Sequence, residues 1–198
     1  MDLVLPLLGL FVFAAIATQV AREHLPSASL ALAVKAAVWL IPAALCARES
    51  MAETFALKAP ARAGLRRATI VGVAYLCGVF LLALAASGGA LDFRAPAIVG
   101  LALLVGNVFV EEAALRGFLL LRLARVLRFW KANVLVAIGF AALHVPWFLS
   151  QGMNAVEIVI SGVVLSVLSL ALGEATRATR SIWPAVVIHL LNNLLQAR

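Results

Sequence analysis

Val105-Gly106-Asn107-Val108-Phe109-Val110-Glu111-Glu112-Ala113-Ala114-Leu115-Arg116-Gly117-Phe118-Leu119-Leu120 is apolar at both ends and holds two acids and a base in its middle. The apolar run extends over 97–121, enough to cross a bilayer, which takes about 20 residues. At that depth each charge costs about 2.5–3.5 kcal/mol on insertion scales. Three ionisable groups placed there need a use, or one another.

The rest of the chain is of the same kind. Of its 198 residues, 65% are hydrophobic and 13% charged, and the mean hydropathy is +1.09, values that exclude an ordinary soluble domain. Seven apolar segments are predicted, at 3–20, 28–46, 69–87, 97–121, 132–149, 155–173 and 182–196. The second contains Lys35 and Pro42, and the fourth is long enough to tilt or to project beyond the membrane. No Lys or Arg precedes the first, so it reads as a span and not as a signal peptide. The expected fold is all-α. One transmembrane domain covers 1–198, a polytopic bundle of about seven helices around a polar intramembrane active-site cavity. Between the second and third spans, Met51-Ala52-Glu53-Thr54-Phe55-Ala56-Leu57-Lys58 is predicted to lie flat on the membrane as a short amphipathic element.

The formal net charge of +7 would point to nucleic acid in a soluble protein. Here the basic residues sit in short loops, where topology and anionic headgroups account for them, and no nucleic-acid partner is expected. Arg48, Lys58, Arg62, Arg66, Arg67, Arg122, Arg125, Arg128, Lys131, Arg177 and Arg180 fall on one side of the membrane. Arg22, Arg94 and Arg198 fall on the other. The positive-inside rule then places the N-terminus in the cytoplasm and the C-terminus outside. Cys46 and Cys77 have no metal or redox spacing and are expected to be buried packing residues. Gly72, Gly78, Gly100, Gly106, Ser161, Gly162, Ser166 and Ser169 read as places where helices approach closely.

Three polar groupings break the late spans. In the first, Glu112 and Arg116 are four residues apart with the acid first, the favourable order for an ion pair on one helix face. Glu111 is turned about 100° away, on the face of Asn107 and Leu115. Arg116 is therefore expected to neutralise Glu112 and leave Glu111 free to act as a base. In the second, Phe140 and His144 share a face, so the ring can wall the imidazole, and Pro146 bends the helix just beyond. In the third, His189 and Asn193 share a face and offer neighbouring donors, while Asn192 points elsewhere.

Together these groupings set one free Glu, two His and one Asn at about one depth. No serine or cysteine nucleophile motif, aspartyl pair or His-Glu-x-x-His is present. Glu111 with His144 can activate a water, and His189 with Asn193 can hold the oxyanion of an attacked amide. Glu111, His144 and His189 are equally a two-His, one-carboxylate donor set for zinc. Two further readings stand beside a hydrolase. A non-catalytic immunity or regulatory protein has no reason to keep all four groups. A transporter or proton relay needs polar residues across the full membrane, whereas these lie at one depth.

Glu-Glu-x-x-x-Arg, Phe-x-x-x-His and His-x-x-x-Asn, in that order in late spans and with Trp183-Pro184 just ahead of the last, resemble the CPBP family of CAAX prenyl proteases and bacteriocin-processing enzymes, also called the Abi family. The resemblance covers about residues 95–198. It implies a glutamate-type intramembrane endopeptidase. Glu111 and His144 would hold the catalytic water, and His189 and Asn193 would form the oxyanion hole. Glu112 and Arg116 would support them, and no cofactor would be required. The implied partners are the bilayer and a membrane-anchored peptide or protein terminus. The compact Ala- and Leu-rich chain fits a bacterial inner membrane.

Overall fold

A computed structural model describes residues 24–45, 49–88 and 97–196, with Phe13, Ala17 and Thr18 before them. The first expected span, 3–20, lies outside the described residues apart from those three positions, and Cys46 lies outside them too. All regular structure among the described residues is helical.

Helix α1 (Ala28–Leu45) begins after Ser27, whose Oγ accepts from the Leu30 amide at 3.3 Å, and passes through Pro42. A single turn, α2 (Met51–Thr54), is capped by Ser50. Helix α3 (Arg62–Ala86) is 25 residues long. The segment that holds Glu111, Glu112 and Arg116 is a continuous rod over Ile98–Val126. It comprises α4 (Ile98–Glu112), a π-helical stretch over Ala113–Leu120 and α5 (Leu121–Val126). Helix α6 (Phe129–Ser150) follows. Helix α7 (Ala155–Thr179) opens on a capping box in which Asn154 and Glu157 satisfy each other's backbone amides. Helix α8 (Trp183–Gln196) closes the bundle.

Five of these elements (α1, α3, the rod, α6 and α7) are long and apolar enough to cross a membrane. Helix α8 has 14 residues, about 21 Å by helical rise, and falls short of a hydrocarbon core of about 30 Å. It packs instead against α3, α4 and α7. The burial pattern is that of a protein dissolved in lipid. Ile98, Leu45 and Val99 face outward, whereas Glu111, Glu112, Arg116, Asn133, Ser169 and His189 are buried.

Helix α7 is the central pillar, packed on α3 and α6 along much of their lengths. A glycine makes room for each contact. A Cβ on Gly64 would overlap the Ala178 carbonyl, and one on Gly173 would overlap Asn133, whose Nδ2 donates to the Leu170 carbonyl at 3.1 Å. The packing role expected of small residues holds at Gly72, against Ile188, and at Gly106, against Leu32. It fails at Gly78 and Gly162, where a methyl group would meet open space. Cys77 is likewise exposed, not buried, at the edge of an apolar groove of about 340 Å³ lined by Leu76, Phe80, Leu81 and Leu195.

The predicted surface helix is corrected most. Only Met51–Thr54 is helical, and Thr54, Phe55 and Ala56 are buried. The chain turns inward at Ala56, which has φ of 51°. Its carbonyl accepts from the Ile182 amide at 3.1 Å, and the Leu57 carbonyl accepts from Trp183 Nε1 at 2.9 Å. Gly117 of the π-helical stretch permits this, because a Cβ there would overlap the Phe55 backbone. The segment is thus a plug beneath the bundle, made of backbone whose polar groups are satisfied by protein. The basic residues assigned to one membrane side gather at this end. Arg122 and Arg125 bind Glu49, Arg67 and Arg177 bind Glu174, and the Ala61 amide donates to the Thr179 carbonyl at 2.8 Å.

Candidate active site

The helical spacing of Glu112 and Arg116 survives the change from α- to π-helix between them. Arg116 Nη1 donates to Glu112 Oε1 at 3.1 Å, and both side chains are fully buried. The guanidinium carbon lies over the Phe140 ring, 4.6 Å from its centre, and Nη2 donates to Ser169 Oγ at 2.8 Å. Ser169 is therefore a polar partner of the site and not, as expected, a small packing residue. The π-helical stretch is buried along its whole length, which seats Arg116 in the bundle centre between α6 and α7. Such segments are rare and occur often at functional sites.

Phe140 is the hub of the cluster. The His144 ring meets it edge-on at 4.7 Å and the His189 ring at 5.6 Å, so two helices present their imidazoles to one phenyl group. His144 Nδ1 lies 2.8 Å from the Phe140 carbonyl, which can only accept. In the neutral ring Nδ1 carries the proton and Nε2 the lone pair. His189 Nδ1 donates to Glu112 Oε1 at 2.7 Å, and its Nε2 faces Glu111 Oε2 at 3.8 Å. Glu111, Glu112, Arg116, His144 and His189 are thus brought together. Asn193 stands one turn beyond His189, where its Oδ1 accepts from Asn192 Nδ2 at 3.1 Å, leaving its own amide as the end that can donate.

Glu111 is not the free acid that the sequence predicted. Its Oε1 is bound by Lys35 Nζ from α1 and by Asn107 Nδ2 at 3.1 Å, and Lys35 also donates to Asn107 Oδ1 at 2.6 Å. Lys35 was visible in the sequence as a lone cation in an apolar span, and that cost was the available signal. On helical spacing Asn192 points away from His189. It is buried and accepts from the Tyr75 hydroxyl of α3 at 2.9 Å and from Gln196 Nε2 at 2.9 Å. No sequence spacing links Tyr75 to Asn192, which are 117 residues apart. For zinc, the donor types of Glu111, His144 and His189 are suitable, but Lys35 already neutralises Glu111. Among the described residues no three such groups are arranged to hold a metal ion.

An all-helical bundle with long apolar spans and two buried acids set among two cations and two imidazoles defines a multi-pass membrane protein with an ionisable site in its interior. The sequence matches the family described as Type II CAAX prenyl endopeptidase Rce1-like over residues 93–195, and the chain belongs to that family. The match takes in just over half of the 198 residues. It includes every motif residue of the site but neither Lys35 nor Tyr75. No curated protein and no solved structure matches the chain.

Proposed function

We propose that this protein is an intramembrane endopeptidase that hydrolyses a peptide bond in a membrane-anchored peptide or protein terminus. One observation carries the reading: Glu111 has one oxygen committed and one open. Lys35 and Asn107 both bind Oε1, so Oε2, turned toward His189, is the oxygen available to a reacting water. His144 supplies a second proton acceptor through Nε2, because its Nδ1 is held by the Phe140 carbonyl.

In this mechanism Glu111 takes a proton from the water as its oxygen attacks the peptide carbonyl, with His144 Nε2 accepting the water's other O–H and orienting it. The proton passes to the leaving amine when the carbon–nitrogen bond breaks. The developing oxyanion is met by donors on α8, the Asn193 amide and His189. His189 donates through Nε2 when its ring holds both protons, with Nδ1 held by Glu112 and Nε2 beside Glu111. Glu112 and Arg116 hold His189 in place and do not touch substrate.

In cells, Glu111→Gln and His144→Ala are tested by profiling the N- and C-termini of membrane proteins. A shared set of processed termini is expected to disappear, each substitution slowing turnover on the order of 10²–10⁴-fold. The reading fails if both variants accumulate as folded protein and the termini are unchanged.

A further inference from the structure

Lys35 comes from a different part of the chain than the residues it joins. It lies on α1, outside the 93–195 segment that carries the family match, and its side chain is 15% exposed. An ammonium at this depth is costly, and it is held by three neighbours: Glu111 Oε1, Asn107 Oδ1 and the face of Trp39, 5.0 Å from the ring centre. Asn107 closes the triangle by donating to the same Glu111 oxygen.

This triangle has two effects on Glu111. The terminal torsion of a glutamate is soft and rotates broadly. Two donors on Oε1 fix that rotation and turn Oε2 toward His189. The second effect is on charge. Glu111 and Glu112 are balanced by Lys35 and Arg116, so neither imidazole has to hold a proton to neutralise a carboxylate. Without Lys35 one carboxylate is uncompensated in lipid, and an imidazole must keep a proton that the reaction needs to move.

We propose that Lys35 is a positioning residue of this site: it pins one oxygen of Glu111 so that the other meets the reacting water, and it balances the Glu111 charge so that the histidines can exchange protons. The inference rests on the reading of Glu111 as the base. A lysine that merely locked α1 to α4 would affect folding alone.

The test uses the termini whose processing is lost in Glu111→Gln, followed by pulse-chase in cells carrying Lys35→Met or Lys35→Arg, with membrane level and monodispersity of each protein measured alongside. Methionine keeps the packing against Trp39 and removes the charge. Lys35→Met is expected to slow processing on the order of 10²-fold per unit of monodisperse protein, the scale of a misplaced catalytic group. Lys35→Arg is expected to stay within about tenfold of the wild-type rate, since charge and donors persist while the fork geometry differs. If Lys35→Met does not accumulate, Lys35→Gln carries the same expectation. Wild-type processing in Lys35→Met, or equal loss in folded Lys35→Met and Lys35→Arg, overturns the inference. If no terminus depends on Glu111, the endopeptidase reading falls instead.

Discussion

Glu112 and Arg116 show what a fully buried ion pair demands of its neighbours. Glu112 Oε2 and Arg116 Nε have no hydrogen-bond partner, so each charge relies on the other and on His189 and Ser169. Breaking such a pair on one side leaves the other charge stranded, a loss of about 3–5 kcal/mol. Arg116→Met and Glu112→Gln should therefore lower the melting temperature in detergent as well as activity, whereas Glu111→Gln, which keeps an amide oxygen as acceptor for the 15% exposed Lys35, should lower the melting temperature less than either while lowering activity sharply. Ser169→Ala removes one acceptor from a buried guanidinium and should cost about 1–3 kcal/mol, measurable in the same melting series. These pairings separate what could be read from the chain from what could not. Glu112 with Arg116 and Phe140 with His144 are one helical turn apart, so period alone brings them together. Lys35 and Ser169 reach the site from other helices, and no spacing rule connects residues 76 or 53 positions apart.

At the scale of elements, close approach is decided by which glycines face a neighbour. Glycine spacing in the sequence shows that helices can approach but not on which face. Gly64 meets α7, and Gly117 meets the plug formed by residues 54–57, whereas Gly78 meets nothing. Gly64→Ala and Gly117→Ala should sharply reduce the yield of monodisperse protein, and Gly78→Ala should leave it unchanged. Equal behaviour of the three on gel filtration would contradict this packing. The plug escapes the sequence pattern for a related reason. Its residues look amphipathic, but Phe55 and Ala56 are buried, and a backbone bond from Ile182 to the Ala56 carbonyl, which no side-chain pattern records, ties the turn to the bundle. Tyr75 ties α3 to the polar end of α8 through Asn192, so Tyr75→Phe should slow processing through Asn193 while preserving the fold.

For the whole molecule, composition alone fixed the class: a chain this apolar has to bury its few charges inward and show its aliphatic side chains to lipid. Charge asymmetry gives a testable orientation. The end that gathers Arg67, Arg122, Arg125 and Arg177 is expected to face the cytoplasm, and a reporter fused after Arg198 is expected to read as external. A cytoplasmic signal there would overturn this orientation. The family match and the buried cluster support a protease, and the account rests on Glu111 acting with His144 on water. The most direct measurement is cleavage, by purified wild-type and Glu111→Gln protein in detergent with a strong chelator present, of a peptide spanning one of the processing sites found in cells. The wild type is expected to cleave under chelation, and Glu111→Gln to be slower by about 10²–10⁴-fold. Equal rates, or wild-type activity abolished by the chelator and restored by zinc, would contradict the account.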